Sequence, residues 1–320
     1  MLKRHREGEP LRILTKDVAV EPLTYLLRPL VFKDKPSALY GDGGTGKSTL
    51  ALACAMTVSV GGTLAGISAL KGKALYLDYE DSYDVHVRRM KAIVAGHPDL
   101  AEAQVSYRAC TEPLLNLAYP LLRQIRAEGI AFLVLDSLVA ATGGDASAEA
   151  AARIFKAIRT FGIGTLILAH VAKNPAEGQD TSIYGSVFNK NFTRATWELK
   201  LEQEVGEDVS ILGLINRKVN LSRKHAPIGL KVTQSEENTR IQYEPFDLSQ
   251  AAELKSSLPW PNQIRNLLED GEPRSSRQIA EALGAKIGVI TTTLSNPRYK
   301  GHKWHMVGEG KAVKWTVVNA

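Results

Sequence analysis

The sequence predicts an α/β protein with a mostly parallel sheet, an antiparallel extension of that sheet and a separate C-terminal unit. Three observations support this prediction. Short, continuously apolar runs alternate with helical patterns through the first two-thirds of the 320 residues, which is typical of parallel strands buried on both faces. A glycine-rich turn joins the first of these runs to a helix. After Arg194 the pattern changes to successive strand-like segments with short polar turns, which favours antiparallel pairing.

Apolar runs of five to eight residues predict the strands of the parallel part. Segment 48–61 is rich in small residues and has the length of a helix, and segment 147–161 has helical spacing. The predicted strands lie at 37–41, 74–79, 105–110, 131–138 and 164–171.

Composition and pattern divide the chain into four predicted segments. An N-terminal arm at 1–22 precedes the α/β core at 23–246. A linker at 247–260, within "DLSQAAELKSSLPWPNQ", leads to a small C-terminal unit at 261–320. The sequence contains no internal repeat and no low-complexity tract.

The bulk properties favour a cytoplasmic protein with a polyanionic partner. The net charge is +6 and the isoelectric point is about 9.1, which suits nucleic acid and, nearly as well, a basic enzyme without a polyanionic partner. The sequence has no run of 18 or more apolar residues, so no transmembrane helix is expected. The basic start "MLKRHREGEP" is not followed by the apolar segment of a secretory signal. Cys54 and Cys110 lack metal-ligand spacing, so we expect reduced thiols.

The segment "GDGGTGKST" fits the phosphate-loop pattern G-x-x-x-x-G-K-[ST] and stands between a predicted strand and a predicted helix. Its glycines let backbone N–H groups converge on phosphate oxygens, and the helix N-terminus adds the positive end of its dipole. The residues expected to bind ATP are Gly41, Asp42, Gly43, Gly44, Thr45, Gly46, Lys47, Ser48 and Thr49.

Two residues are predicted to hold Mg²⁺ beside the phosphates. Lys47 is expected to reach the β- and γ-phosphates, and the Ser48 hydroxyl to bind the metal. Asp136 follows five apolar residues, so it ends an interior strand where the carboxyl edge of the sheet faces the nucleotide. A cap of the following helix is the alternative role for Asp136.

Carboxylates crowd the end of the second strand, in "YLDYEDS". Like charges this close repel and raise one another's pKa, which is costly without a function. Strand alternation puts Asp78 and Glu80 on the same side. The pattern therefore leaves both as candidates for a catalytic carboxylate.

Six segments, taken in order, resemble the RecA-fold P-loop ATPases, with the greatest likeness to the RepA-like group of hexameric helicases and its relatives in phages, plasmids and bacterial genomes. The resemblance spans roughly residues 23–244 and implies a RecA-like core that hydrolyses ATP with Mg²⁺. The segments are "GDGGTGKSTLALACA", "ALYLDYEDSYDVHVRRM", "FLVLDSLVAATGGDASAEAAARIF", "LILAHVAKN", "IYGSVFNKNFTRATWEL" and "INRKVN" with "PIGLKV".

The resemblance also implies residue roles near the γ-phosphate. RecA-fold proteins carry the water-activating carboxylate at the end of the strand after the P-loop helix, which selects Glu80, with Asp78 as the competing candidate. His170 matches a sensor position, and "HVAK" is similar to the His-x-x-Lys pattern of relatives, which brings in Lys173.

A basic residue of "INRKVN" matches the family's finger, which reaches the ATP site of a neighbouring subunit. Lys218 fits the Lys-x-Asn arrangement, and Arg217 is the alternative. A finger in trans requires head-to-tail assembly, as a ring or filament, and the resemblance implies a hexamer. In relatives the "YGSVFNKNFTRATWEL" segment, with Gly185 and Ser186, lies near the central channel or the subunit contact. Its Lys190 and Arg194 are candidate contacts to nucleic acid, or else surface charges.

The C-terminal unit is predicted to be a winged helix that binds DNA. Its helices carry apolar pairs at helical spacing, the second starts at Ser275 or Ser276, and a hairpin surrounds "GEG". The third helix, "KIGVITTTLSN", would be the recognition helix. Protein contacts are the alternative use of such a unit. The candidate phosphate contacts are Lys286, Thr291, Thr292, Arg298, Lys300, Lys303 and Lys311.

Together these features predict an ATP-hydrolysing DNA-binding protein. The specific expectation is a RepA-like helicase or motor that acts on single-stranded or forked DNA in the replication of a mobile element. One alternative is an ATP-switched recombination mediator or regulator without unwinding activity. Another is a scaffold ATPase that binds proteins and ignores nucleic acid.

Overall fold

The computed structural model describes residues 13–145, 147–171, 192–203, 206–251, 253–308 and 313–318. The strands are β1 Tyr25–Arg28, β2 Val31–Phe32, β3 Pro36–Gly41, β4 Thr63–Leu64, β5 Ile67–Ala69, β6 Lys73–Asp78, β7 Val105–Ala109, β8 Ile130–Asp136, β9 Gly164–His170, β10 Ala195–Glu202, β11 Val209–Val219, β12 Ile228–Gln234, β13 Ile241–Phe246, β14 Trp304–Val307 and β15 Lys314–Val317. The α-helices are α1 Lys47–Val60, α2 Tyr83–Gly96, α3 Leu114–Glu128, α4 Leu138–Ala141, α5 Ala148–Phe161, α6 Trp260–Leu268, α7 Ser276–Ala282 and α8 Ile287–Ser295.

A nine-stranded sheet in the order β13-β12-β11-β10-β3-β9-β8-β6-β7 organises the core. The six strands from β10 to β7 in this order are parallel, and β11, β12 and β13 add antiparallel pairs. This confirms the predicted α/β class with a mostly parallel sheet. The strand β10 joins the two parts of the sheet, because it pairs in parallel with β3 and antiparallel with β11, the first pair of the predicted extension.

Apolar clusters cover both faces of this sheet. Helices α1 and α2 contribute Leu50, Met56 and Ile93 to one cluster, and α3 and α5 contribute Leu121 and Phe155 to the other. Strands buried on both sides must be apolar at successive positions, which explains the continuous runs in the sequence. A four-stranded sheet in the order β2-β1-β5-β4 adds to the first cluster.

The C-terminal unit consists of α6, α7 and α8 followed by the antiparallel pair β14 and β15. Its core joins Ile264, Ile290 and Leu294 to two tryptophans. The indole of Trp304 donates to the Leu294 carbonyl at 3.0 Å, and that of Trp315 to the Ser276 hydroxyl at 3.2 Å. A capping box starts α7, in which the Ser275 hydroxyl accepts the Gln278 backbone N–H and the Gln278 side chain accepts the Ser275 backbone N–H. Of the two serines proposed as the cap, Ser275 is therefore the one that serves.

The segment predicted to be a linker packs against the sheet. Leu248, Leu254 and Leu258 form a small apolar cluster against β11 and β13. The Glu202 carboxylate, at the end of β10, accepts the backbone N–H groups of Glu253 at 2.8 Å and Leu254 at 2.9 Å. Residues 247–258 are therefore attached to the core over most of their length.

The N-terminal segment 13–24 lies on the surface and forms no helix or strand. Several of its aliphatic side chains are exposed, including Leu14 at 97% and Val20 at 83%. Within the described ranges, no helix has both the length and the apolar character that crossing a bilayer requires.

Candidate active site

A cleft of about 360 Å³ opens at the carboxyl edge of the parallel strands. The P-loop and the ends of β6, β8, β9 and β12 contribute its walls, because the carboxyl ends of parallel strands meet at one edge of a sheet. The lining residues are Gly44, Gly46, Lys47, Ser48, Thr49, Glu80, Asp81, Arg89, Asp136, His170 and Gln234.

Two P-loop positions require glycine, one because another strand lies too close for a side chain and one because its backbone is left-handed. A Cβ atom on Gly41 would lie 2.4 Å from the carbonyl oxygen of Leu199, so no side chain fits there. Gly46 caps α1 with a φ of 79°, in the left-handed region. A Cβ on Gly43, Gly44 or Gly46 would meet no atom within 4 Å. The turn thus presents an open face to the N-terminus of α1, which suits a phosphate.

Lys47 lies buried at the base of this turn. Its ammonium donates to the carbonyl oxygens of Gly41 at 3.0 Å and Asp42 at 2.6 Å. Burial lowers the pKa of Lys47, and the negative charges of Asp136, Glu80 and Asp42 oppose that shift. The surrounding carboxylates therefore favour a charged ammonium beside the open face of the P-loop.

Asp136 and Ser48 form a pair of oxygen donors suited to Mg²⁺. Burial raises the pKa of Asp136, hydrogen bonds from Ser48 and Tyr76 oppose this shift, and the nearby Glu80 and Asp78 charges reinforce it. The Tyr76 hydroxyl donates to Asp136 Oδ2 at 2.7 Å. A divalent cation would offset the crowded negative charge, so the residues present fit the metal.

This donor set is small, as expected for Mg²⁺, which uses one or two carboxylates together with substrate phosphates and water. In the part of the chain that the structure describes, no group of three or more His, Cys, Asp or Glu is arranged to hold a metal ion by itself.

The structure separates the two candidate carboxylates. Glu80 follows the end of β6, lines the cleft and is 38% exposed. The Ser137 hydroxyl donates to its carboxylate, and His170 Nε2 lies 3.5 Å from Glu80 Oε1. The side chain of Asp78 is fully buried and does not line the cleft. Strand alternation stops at Asp78, where β6 ends, so the expectation that both carboxylates share one side is wrong.

The two finger candidates differ in their partners. Arg217 Nε donates to Glu198 Oε2 at 2.6 Å, and Glu198 is buried, so this guanidinium is engaged within its own chain. Lys218 Nζ donates to the Thr193 carbonyl at 3.3 Å. Burial lowers the pKa of Lys218, and the positive charge of Arg194 adds to this.

The strand register sets the distance between Lys218 and the cleft of its own chain. Lys218 pairs with Thr196, which pairs with Ala38, three residues before Gly41. At about 3.3 Å per residue this places Lys218 about 10 Å back along the sheet from the P-loop. Lys218 is also absent from the cleft lining among the described residues.

All of the described candidate nucleic-acid contacts except Arg194 lie in the C-terminal unit. Arg194 is half-buried, and its carbonyl accepts the Asn220 N–H at 3.0 Å. Lys303 is half-buried with its ammonium 5.5 Å from the centre of the Tyr299 ring. The remaining described candidates are exposed, namely Lys286, Thr291, Thr292, Arg298 and Lys300. Those outside the described residues are Lys173, Gly185, Ser186, Lys190 and Lys311.

Five residues at the site were not predicted from the sequence, namely Tyr76, Asp81, Arg89, Ser137 and Gln234. Tyr76 contacts Asp136, and Ser137 contacts Glu80. Arg89 donates to Asp81 at 2.7 Å and lines the cleft with Gln234. The alternation of β6 was an available signal for Tyr76, which shares a side with Asp78. Gln234 comes from β12, and no local pattern connects it with the P-loop.

Comparison with known proteins gives one family match. The model of the AAA_25 family, described as an AAA domain, matches residues 9–176, which is just over half of the chain. No protein with a curated description matches the chain.

A solved structure, the KaiC-like protein PH0186 from the hyperthermophilic archaeon Pyrococcus horikoshii OT3, is similar over 71% of this chain and 98% of its own, with 16% identity and a TM-score of 0.48. On the family match, the chain belongs to the AAA_25 family of AAA domains.

Proposed function

We propose that this chain is a Mg²⁺-dependent ATPase that assembles head to tail and acts on DNA as a RepA-like helicase or motor in the replication of a mobile element. One observation carries the ATPase part. A single cleft combines the P-loop, the buried Asp136, the exposed Glu80 and His170. These are the parts that phosphoryl transfer to water requires.

Each residue has a defined task in the proposed hydrolysis. Lys47 and the N-terminus of α1 bind the phosphates, and Ser48 and Asp136 would hold Mg²⁺, which would supply positive charge beside the phosphoryl group. Glu80 orients a water molecule and takes its proton as the oxygen attacks the γ-phosphorus. The bond to the β-phosphate oxygen breaks, and ADP and phosphate leave. His170, next to Glu80, is placed to respond to the γ-phosphate.

The C-terminal unit supports the DNA part of the proposal. Three helices followed by an antiparallel pair are the element order of a winged helix, and α8 takes the place of the recognition helix. The exposed positions of α8 include Thr291 and Thr292 but no charge. Lys286, Arg298 and Lys300 flank this helix and are exposed. Such an arrangement suits phosphate contacts at the borders of a groove.

We expect DNA to stimulate ATP hydrolysis and the full chain to separate forked duplexes. Changing Arg298→Glu and Lys300→Glu together is expected to weaken DNA binding and to reduce the slope of log affinity against log salt by about 2, one unit per phosphate contact. The control is the pair Lys71→Glu and Lys73→Glu, which changes the net charge equally at two exposed positions of the core.

The outcomes distinguish the rival functions. ATP-dependent DNA binding without strand separation would favour the recombination mediator or regulator. Absence of DNA binding at low salt would contradict the DNA part and favour the scaffold ATPase. Absence of Mg²⁺-dependent hydrolysis would contradict the proposal as a whole.

A mixing experiment tests the assignment of Lys218 as a finger in trans. Lys218→Ala and Glu80→Gln are each expected to lose more than about 10²-fold in turnover. A 1:1 mixture should regain about a quarter of the wild-type rate, because half of the sites keep Glu80 and half of their neighbours supply Lys218.

Lys224→Ala, an exposed lysine in the loop after β11, is the matched control and should remain active. A mixture as inactive as its components, or monomers throughout in the presence of an ATP analogue, would remove Lys218 from the proposed site.

A further inference from the structure

We propose that Asp78 is a positioning residue, which holds the backbone turn that carries Glu80 and so places the catalytic carboxylate in the cleft. This inference rests on the proposed ATPase function and on the assignment of Glu80. Asp78 is fully buried and is not among the described residues that line the cleft, so the inference assigns it a role outside the cleft.

One carboxylate oxygen of Asp78 organises the turn. Asp78 Oδ1 accepts the backbone N–H groups of Glu80 and Asp81, both at 3.0 Å. Two successive N–H groups directed at a single oxygen restrict the backbone on both sides of Glu80. The direction in which the Glu80 side chain leaves the chain is therefore set by Asp78.

The other oxygen fixes the Asp78 side chain itself. Asp78 Oδ2 accepts the Tyr107 hydroxyl, from β7, at 2.8 Å and lies 3.1 Å from His86 Nε2, on α2. Both Asp78 and His86 are buried, so water does not compete for these bonds. The ring of His86 also packs 4.5 Å from that of Tyr76, which holds Asp136.

The charge on Asp78 strengthens this arrangement. Burial alone would raise the pKa of Asp78, but hydrogen bonds from the Asp81 and Glu80 backbone and from Tyr107, with the nearby His86, outweigh burial and lower the pKa. Asp78 is thus a carboxylate at neutral pH, and hydrogen bonds to an ionised acceptor are about twice as strong as neutral ones.

The contacts of Glu80 divide between side chain and backbone. Ser137 and His170 approach only its carboxylate, whereas Asp78 holds its backbone. An error of about 1 Å in the position of a reacting group costs about 10²-fold in rate. Loss of Asp78 should therefore reduce turnover without removing any group that touches the substrate.

The experiment compares Asp78→Ala with Asp78→Asn in the full chain. Asp78→Ala is expected to lower kcat about 100-fold, to leave ATP affinity close to wild type, and to raise hydrogen–deuterium exchange at residues 79–82 without nucleotide. Asp78→Asn keeps an oxygen for the two N–H groups, so it should recover most of kcat and of the amide protection. Exchange reports on the turn independently of activity.

Glu202→Ala is the matched control. Glu202 also accepts two successive backbone N–H groups, those of Glu253 and Leu254, but at the linker segment rather than beside the cleft. This variant should keep the wild-type kcat and wild-type exchange at residues 79–82. If Asp78→Ala fails to fold, Tyr107→Phe removes a single bond to Asp78 and should lower kcat several-fold while increasing exchange at the turn.

Two results would overturn the inference. One is a wild-type kcat in Asp78→Ala, or in Tyr107→Phe where that variant replaces it. The other is unchanged exchange at residues 79–82 in the same variant. If the wild-type chain hydrolyses ATP and Glu80→Gln does not, these results reject only the role of Asp78. If the wild-type chain does not hydrolyse ATP, the proposed function fails, and exchange still tests the turn.

Discussion

A Glu80→Gln variant is expected to bind ATP with close to wild-type affinity while its turnover falls by about 10² to 10⁴-fold, the usual contribution of a positioned general base. Glutamine has the shape of glutamate and can still accept the Ser137 hydroxyl, so the cleft should keep its form. Its amide cannot take the proton of the attacking water. Equilibrium binding of ATP and single-turnover hydrolysis measure the two effects separately.

Glu102→Gln is a suitable control for this experiment, because it makes the same chemical change at an exposed acid outside the cleft lining. Its turnover should equal that of the wild type. Normal turnover in Glu80→Gln would move the catalytic role to another residue. Loss of ATP binding in Glu80→Gln would instead show that the carboxylate supports the pocket rather than the chemistry.

An Asp136→Asn variant is expected to lose Mg²⁺-dependent hydrolysis and to gain stability without nucleotide. The carboxylate is buried near Glu80 and Asp78, and burial raises its pKa. An acid with a raised folded-state pKa is destabilised when it ionises. Asparagine removes that charge and can still accept the Tyr76 hydroxyl, so the midpoint of thermal unfolding should rise.

The sign of the pH dependence follows from the same shift. The contribution of Asp136 to stability is complete below its unfolded-state pKa of about 4 and is lost as the pH rises through the higher folded-state pKa. Unfolding midpoints should therefore be measured from pH 4 to pH 8. The midpoint of Asp136→Asn should exceed that of the wild type by an amount that grows towards neutral pH. Asp99→Asn, at an exposed acid, is the control. A less stable Asp136→Asn at pH 7 would contradict the argument.

The sequence predicted the core of the site because the chemistry there is local. The P-loop directly follows the apolar strand β3, and Asp136 is the last residue of the apolar strand β8. In both cases the strand and the functional residues are adjacent in the chain. The same reasoning predicted the parallel strands, whose runs are continuous because both faces are buried.

Other parts depend on contacts between distant segments, which no local pattern contains. The small sheet of β1, β2, β4 and β5 has strands of only two to four residues, too short for alternation to show. The strand β10 has the same composition whether it pairs in parallel or not, so its direction could not be predicted. The separation of Asp78 from Glu80 follows from where β6 ends and from Tyr107, 29 residues away.

The packed linker changes how force would pass between the two parts of the chain. A free tether of 14 residues would let the C-terminal unit explore distances of about 20 Å. Instead, Glu202 on β10 holds Glu253 and Leu254, and the side chain of Gln263, on α6, donates to the carbonyls of Ser256 and Leu258 at 2.9 and 2.6 Å. Because β10 is also the neighbour of the P-loop strand β3, this connection is short and packed against the core instead of being a flexible tether. Tension on the C-terminal unit would then reach the strand beside the phosphates directly.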